Sequence, residues 1–246
     1  MGTPKQTIVS IHFYILFHDI IYTEHFIAER TITMTNQDPC RSCIDCGRKA
    51  CQKSNEALYP DYCLTKNASG EQLSQIKAAY MEEYNNEVMV QTAIIQADYY
   101  EKLTRVEETI QFAKEMGVKK IGIATCTALL KESMTLARIL RAHGFQVFSA
   151  CCKVGAVDKK EIGIPEDFIK HGPNICNPIL QAQILNEEKT DLNIVMGLCV
   201  GHDVLFHKYI QGPTTTMVVK DRVTGHNPAA PLYTTHSFYK KLLHEE

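Results

Sequence analysis

The chain of 246 residues has no tryptophan and no large excess of charge, since its formal net charge is -2 at pH 7. A near-neutral chain offers no basic field to a phosphate backbone, which argues against nucleic-acid binding. Gly-x-Gly-x-x-Gly, P-loop and Gly-x-Ser-x-Gly motifs are also missing. The usual signals of dinucleotide sites, nucleotide-phosphate sites and serine hydrolases are therefore absent. A metal ion or cluster, a small molecule or an electron-transfer partner is the expected partner.

The chain also lacks an apolar run long enough to cross a bilayer, which takes about 20 residues. The most apolar stretch, residues 8–17, is followed directly by His18 and Asp19. A signal-peptide cleavage site is missing too. We therefore expect residues 1–33 to be a non-native or disordered extension, with an interfacial anchor as the other interpretation, and the working protein to begin at Met34.

What the chain does have is ten cysteines, five of them within 24 residues near the front. These five are Cys40, Cys43, Cys46, Cys51 and Cys63. Gaps of two and four residues let the chain turn back and present thiolates to one metal ion or cluster. Clustered cysteines in a chain of this size fit metal ligation in a reducing compartment better than a disulfide framework. We therefore expect a cytoplasmic protein with a cysteine-rich metal-binding segment over residues 34–68.

The identity of the metal stays open at this point. Four thiolates suit either a tetrahedral zinc ion or an iron-sulfur cluster. In the bacterial ferredoxin pattern the last gap is about three residues and a proline follows, whereas here four residues precede Cys51 and no proline follows. A zinc site also stabilises a short segment that has little core, because metal binding there is folding energy. The spacing slightly favours zinc.

Residues 69–246 are expected to form a helical region followed by an α/β domain. Ser69 and Gln72 form a capping-box pattern, and apolar residues at helical spacing predict helices as far as Gly117. Short apolar runs then alternate with helical patterns, which is typical of a parallel sheet with flanking helices in Rossmann-like layers. The predicted strands cover residues 119–125, 145–150, 192–198 and 215–220.

The other cysteines gather at the predicted strand ends. Cys126 follows the first strand, Cys151 and Cys152 follow the second, and Cys199 follows the third. The carboxyl ends of parallel strands form the edge where ligands bind in open α/β sheets. We therefore expect a crevice at this edge that binds a metal, a cluster or a redox partner. The candidate cofactor-binding residues are Cys126, Cys151, Cys152, Cys176, Cys199 and His202.

Several interpretations of this crevice stay open. Cys199 and His202 have a Cys-x2-His spacing that suits bidentate metal binding. The same residues permit a thiol-dependent enzyme in which Cys126 or Cys199 is the nucleophile and His202 the base. A non-catalytic metal-handling protein is the third interpretation. The sequence assigns no catalytic residue and does not decide whether the protein is an enzyme.

Two further details concern the same edge. Cys151 and Cys152 are adjacent, so either both bind one cluster or one faces the core and the other faces the crevice. Lys220, Arg222 and His226 follow the last predicted strand. These cationic side chains are candidates to line the crevice and bind an anionic substrate.

Four stretches together carry a resemblance to a known family. They are Cys43-x2-Cys46-x4-Cys51-x11-Cys63, Ile121 to Cys126, Gly197 to Asp203, and Lys220 to Pro228. From Cys43 to its C-terminus the chain resembles the family called domain of unknown function 1847, described as uncharacterised metal-binding proteins of archaea and bacteria. The resemblance implies a metal-binding character with Cys43, Cys46, Cys51 and Cys63 as ligands. A looser similarity relates the later cysteines to cysteine-rich domains of heterodisulfide-reductase type, which hold iron-sulfur clusters.

Overall fold

The computed structural model describes residues 41–244. The predicted extension over residues 1–33 lies outside the described residues. So does Cys40, the one cysteine of the front group that is not among the four expected metal ligands. The contacts divide the chain into two units, Met1–Ile76 and Lys77–Glu246. In the described range, no helix has the length and apolar character that a membrane span needs.

The described part of the first unit consists of short helical turns. Its 3-10 turns are Cys43–Asp45, Ala50–Lys53 and Glu56–Leu58, followed by the short helix α1, Leu64–Asn67. Helix α2, Gly70–Tyr80, begins in this unit. The predicted capping box is confirmed: the Gln72 N–H donates to Ser69 Oγ at 3.1 Å, and the Ser69 N–H donates to Gln72 Oε1 at 3.0 Å.

The second unit contains an α/β fold. Its elements are α3 (Glu83–Tyr99), α4 (Arg105–Glu115), β1 (Lys120–Thr125), α5 (Leu130–Ala142), β2 (Gln146–Cys151), α6 (Pro178–Glu187), β3 (Leu192–Met196), α7 (Val200–Tyr209), β4 (Thr214–Val218) and α8 (Ala230–Tyr233). The strands pair in parallel in the order β2-β1-β3-β4. The predicted parallel sheet with flanking helices is confirmed. Several strand ends differ from the prediction by one or two residues, and β2 includes Cys151 as its last residue instead of ending before it.

Helices cover both faces of the sheet. On one face, α4 and α5 pack against Ile121, Ile123 and Ile194. On the other face, α6 and α7 pack against Ala124 and Val195. Side chains alternate between the two faces along a strand, so strands that are buried on both faces are apolar throughout. This double burial explains the continuous apolar runs from which the strands were predicted.

The strand order creates a topological switch point between β1 and β3. From β1 the chain moves to β2 on one side of it, and then returns to β3 on the other side. The loops that leave the carboxyl ends of β1 and β3 therefore diverge. In open α/β sheets, ligands bind in the crevice between such loops.

A substitution in the centre of β1 tests how closely this strand packs against its neighbours, because Gly122 has no room for a side chain. A Cβ there would collide with Asn193 Oδ1 and lie 3.1 Å from atoms of Leu185 and Thr190. Asn193 is buried, and its Oδ1 accepts a hydrogen bond from the Thr190 hydroxyl at 2.7 Å. Displacing it would leave a buried polar group unpaired. We expect Gly122→Ala to lower the free energy of unfolding by about 2 kcal/mol or more, measured by urea denaturation.

Gly201 provides the matched control, because a Cβ there would meet nothing within 4 Å. It lies in the first turn of α7, where alanine is favoured over glycine by up to about 1 kcal/mol. We expect Gly201→Ala to leave the urea midpoint unchanged or to raise it slightly. A Gly122→Ala protein with the wild-type midpoint would contradict the close packing of β1 against β3.

Candidate functional site

Residues that follow the four strands meet at one edge of the sheet. Cys126 follows β1, Cys152 follows β2, and Cys199 lies just beyond β3. Lys220 and Arg222 lie just beyond β4. Because all four strands are parallel, these residues share the carboxyl edge. Thiols from three strands are thus combined with cations from the fourth.

The β1–β2 register holds Cys126 and Cys152 side by side. Thr125 is paired with Cys151, and the N–H of Cys152 donates to the Thr125 carbonyl at 2.8 Å. The ladder therefore continues, and Cys126 and Cys152 occupy the next paired position. Neighbouring strands lie about 4.8 Å apart. Cys152 Sγ accepts a hydrogen bond from the Thr127 N–H at 3.4 Å and donates to Thr127 Oγ1 at 3.8 Å, so its side chain lies beside the residue that follows Cys126.

These two thiols differ in how easily they ionise. Burial opposes ionisation of Cys126, but the Ala128 N–H, the charge of Lys220, and hydrogen bonds from Lys220 and Cys152 outweigh it and lower the pKa of Cys126. Burial, together with the charges of Cys176 and Cys126, raises the pKa of Cys152 to about 12. Cys126 is therefore the thiol of the pair that ionises first, while Cys152 keeps its proton.

Lys220 is the buried cation of the site. Its charge helps to lower the pKa of Cys126, although the residue is only 8% exposed. Gly197 leaves room for this arrangement, because a Cβ there would collide with Leu129 and lie 3.4 Å from Lys220 Cε. Over residues 41–244, Lys220 forms no ion pair with a carboxylate. A buried ammonium group needs a charge partner, and the Cys126 thiolate supplies it.

Two partly exposed thiols, Cys176 and Cys199, complete the cluster. The N–H of the residue after Cys176 donates to the Cys152 carbonyl at 2.8 Å, which keeps this loop at the edge. Arg222 Nη2 donates to Cys199 Sγ at 3.0 Å. Its bond to Cys199, followed by the charges of Cys126 and Cys176, raises the pKa of Arg222. The guanidinium group therefore lies directly against Cys199.

Two residues predicted at this edge lie apart from the cluster. Side chains alternate along a strand, and Val147 of β2 packs in the core beneath α4 and α5. Cys151, four residues further on, shares that face, whereas Cys152 packs on the opposite face. His226 belongs to a turn, in which its Nδ1 accepts a hydrogen bond from the Asp221 N–H at 3.1 Å.

His202 lies near the cations of the edge. Burial lowers the pKa of His202, and the charges of Lys153 and Arg222 lower it further, so its imidazole is mainly neutral at pH 7. Among the residues that the structure describes, His202 makes no hydrogen bond to a cysteine. Lys153 was not among the predicted site residues. Its position directly after the Cys151-Cys152 pair is the signal that marks it.

Gln181 of α6 is a second residue that the sequence does not reveal. It is fully buried, and its Nε2 donates to the carbonyls of Thr125 at 3.1 Å and Ala150 at 2.7 Å. These bonds join the ends of β1 and β2 directly before the paired cysteines. A polar residue within an apolar helix is the one hint that the sequence offers.

In the first unit, the four predicted metal ligands lie on short turns. Cys43 and Cys51 are exposed, and Cys46 and Cys63 are partly buried. Burial, and then the charges of Cys51, Glu56 and Cys63, raise the pKa of Tyr59.

Hydrogen bonds also bring the two ends of this segment together. The Tyr62 hydroxyl donates to the Asp45 carbonyl at 2.9 Å, and Arg48 donates to the Leu58 carbonyl at 3.2 Å. Tyr62 precedes Cys63, and Asp45 precedes Cys46. Within residues 41–244, however, no three His, Cys, Asp or Glu side chains approach one another closely enough to hold a metal ion.

Comparisons with known proteins place the chain in a family. Residues 63–217 match the model of the family described as Protein of unknown function (DUF1847). The uncharacterised protein MJ0455 of Methanocaldococcus jannaschii is 44% identical over 201 residues, which are 82% of this chain and 97% of that protein. The resemblance seen in the sequence is confirmed, and the chain belongs to the DUF1847 family.

Proposed function

We propose that this protein performs thiol redox chemistry with Cys126 and Cys152 as the working pair. The observation that carries the proposal is that Cys126 and Cys152 directly follow the paired residues Thr125 and Cys151, with the Cys152 N–H donating to the Thr125 carbonyl at 2.8 Å. Thiol–disulfide exchange needs one thiolate to attack and a second thiol to complete the exchange. Cys126 has the lowered pKa that suits the first role, and the raised pKa of Cys152 keeps this thiol protonated until the mixed disulfide has formed.

The reaction would proceed with a small or protein disulfide, R–S–S–R. The Cys126 thiolate attacks one sulfur, forms a mixed disulfide and displaces RS⁻. Cys152 then attacks Cys126 Sγ, forms the intramolecular disulfide and displaces the second RS⁻. The proton of Cys152 passes to one of the released thiolates. The pair loses two electrons, and R–S–S–R is reduced to one RSH and one RS⁻.

The cations at the edge support this chemistry over metal binding there. The charge of Lys220 lowers the pKa of Cys126, and Arg222 donates to Cys199 at 3.0 Å. Positive groups beside sulfur stabilise thiolates, but they repel a metal cation. In a thiol enzyme with His202 as the base, the imidazole would lie beside the reactive thiol. Here the cations take that position.

The pH dependence of alkylation tests the role of Lys220. We expect the rate of Cys126 labelling by iodoacetamide to rise with pH at a midpoint below the ordinary thiol pKa, because only the thiolate reacts. Lys220→Met removes the stabilising charge, so the midpoint should move to higher pH and labelling at pH 7 should slow. Burial of the sulfur slows alkylation by the same factor at every pH. It therefore does not change the midpoint of the pH dependence. Peptide mass spectrometry measures the labelling.

Lys220→Arg keeps a positive charge and serves as the matched control. Its midpoint should stay closer to the wild-type value than that of Lys220→Met. A midpoint for Cys126 at or above the ordinary thiol value in the wild-type protein would refute its assignment as the ionised cysteine.

Oxidation tests the pairing itself. We expect 2-hydroxyethyl disulfide to produce a Cys126–Cys152 disulfide that dithiothreitol reverses. The paired position puts the two Cα atoms about 4.8 Å apart, inside the range of roughly 4.4 to 6.8 Å that a disulfide bridges. Mass spectrometry of unreduced peptides identifies the linked cysteines.

Cys151→Ser is the control, because that side chain faces the other side of the sheet. It should still form the linkage, whereas Cys126→Ser and Cys152→Ser should not. If oxidation instead links Cys152 to a cysteine other than Cys126, the proposed pair is wrong.

The first unit favours a second candidate function, which is metal binding by Cys43, Cys46, Cys51 and Cys63. Among its described residues 41–76, Ala50 is the one buried residue. A segment with so little core gains stability when a metal draws its ligands together. The Lys66 N–H, outweighing burial and aided by Thr65, lowers the pKa of Cys63, which favours the thiolate form that binds metal.

Metal analysis tests this candidate. We expect about one zinc ion per chain, as for a closed four-cysteine site, and we expect Cys46→Ser to lower the zinc content. Iron with acid-labile sulfide would instead indicate an iron-sulfur cluster. Cys40→Ser is the matched control and should leave the metal content unchanged. Equal losses in both variants would refute the four-ligand set.

A further inference from the structure

We propose that the Thr127 hydroxyl carries the proton of the Cys152 thiol to solvent when Cys152 attacks the mixed disulfide. This inference rests on the proposed redox function of Cys126 and Cys152. It adds a further catalytic residue and assigns that residue to the second of the two exchange steps.

The second step has an obstacle that the first step lacks. Cys126 is the thiol that ionises first, whereas Cys152 is only 2% exposed, and burial raises its pKa to about 12. A thiolate is the nucleophile in disulfide exchange, so the proton of Cys152 must leave as its sulfur attacks. This proton therefore needs a polar group that connects the buried sulfur to water.

Thr127 makes this connection. Cys152 Sγ donates to Thr127 Oγ1 at 3.8 Å and accepts a hydrogen bond from the Thr127 N–H at 3.4 Å. Cys152 packs in a buried cluster that also contains Leu198 and Phe206, whereas Thr127 is exposed. The Thr127 side chain therefore links the enclosed thiol to the protein surface.

A hydroxyl group has the donor and the acceptors that a proton relay needs. It carries one O–H donor and two acceptor lone pairs, so Thr127 Oγ1 accepts the Cys152 proton while its own proton passes through water to a released RS⁻. Cys152 Sγ bonds to Cys126 Sγ, the bond from Cys126 Sγ to the R–S sulfur breaks, and RS⁻ leaves with that electron pair. Thr127 is neutral before and after the step.

The local backbone fixes Thr127 where the step takes place. Thr127 directly follows Cys126 and begins the 3-10 turn Thr127–Leu129, so it lies beside the residue that carries the mixed disulfide. Its N–H donates to Cys152 Sγ and stabilises the negative charge that develops there. The ammonium group of Lys220 cannot replace the hydroxyl as a relay, because it has no acceptor lone pair.

Rapid mixing with 2-hydroxyethyl disulfide separates the two steps. Samples are quenched with acid, and mass spectrometry of peptic peptides follows the mixed disulfide on Cys126 as it forms and decays. Thr127→Val keeps the branched shape and the backbone N–H but removes the hydroxyl. We expect it to slow the decay about a hundredfold, the lower end of what a positioned proton-transfer group contributes. The rate of formation should stay the same, because Cys126 attacks as a thiolate.

Two further variants and an equilibrium measurement separate a relay from a structural role. Thr127→Ser keeps a hydroxyl and should restore most of the decay rate. Thr135→Val makes the same change at an exposed position of α5 and should alter neither rate. A relay speeds the step in both directions, so the equilibrium between the thiol pair and its disulfide in a glutathione buffer should be the same in wild type and Thr127→Val.

A wild-type decay rate in Thr127→Val would overturn the relay. Equally slow decay in Thr127→Val and Thr127→Ser, or a glutathione equilibrium shifted by Thr127→Val, would also overturn it, because Thr127 would then only position Cys152. Failure of the redox function is distinguishable. The Cys152→Ser protein, which cannot complete the exchange, would in that case accumulate no mixed disulfide on Cys126.

Discussion

All strands of a parallel sheet end at the same edge, and the thiol site depends on this constraint. Cys126, Cys152, Cys199 and Lys220 are separated by long stretches of chain, yet each follows a strand of one sheet. Helices on both faces bury the strands, and the burial extends to the first residues beyond them. The same architecture that brings the sulfur atoms together therefore removes them from water. Once buried, a thiolate needs a positive partner, since burial favours the neutral form.

The opposite charges of Lys220 and ionised Cys126 reduce the free-energy cost of burying each group. An isolated ammonium group and an isolated thiolate are each costly to bury, but a hydrogen-bonded pair of opposite charge offsets much of that cost. Cys152 lies beside the same pair without a cation of its own, and burial keeps it protonated. Arg222 and Cys199 form a corresponding pair nearer to solvent, where water screens the charges. The inner pair therefore lies in the medium of lower polarity, where a charge partner has the larger effect on the pKa of a thiol.

The sheet and its functional edge were predictable from the sequence, but the pairing of side chains was not. Apolar runs separated by helical patterns identify the strands, and cysteines directly after them mark the edge. A one-residue change in a strand boundary reverses the faces of the side chains, so the sequence left open whether Cys151 or Cys152 faces the cluster. The contact between Lys220 and Cys126 depends on the strand order β2-β1-β3-β4, which periodicity does not contain. The role of Gln181 depends on the same order.

The two sets of cysteines lie in opposite physical settings, which argues that they serve different purposes. At the sheet edge, Cys126 and Cys152 are buried, and a lysine balances the charge of one of them, so a divalent cation there would be repelled by the ammonium group. In the first unit, the described thiols are exposed or partly buried, and Ala50 is the one buried residue among residues 41–76. Hydrogen bonds therefore contribute more to holding this segment together than apolar packing does. In the first unit, a metal ion would hold the cysteine-bearing turns together. At the sheet edge, the same ion would disturb the charge balance between Lys220 and the thiols. These settings are the reason why we propose thiol–disulfide exchange where the protein excludes water, and metal binding where the protein lacks a core.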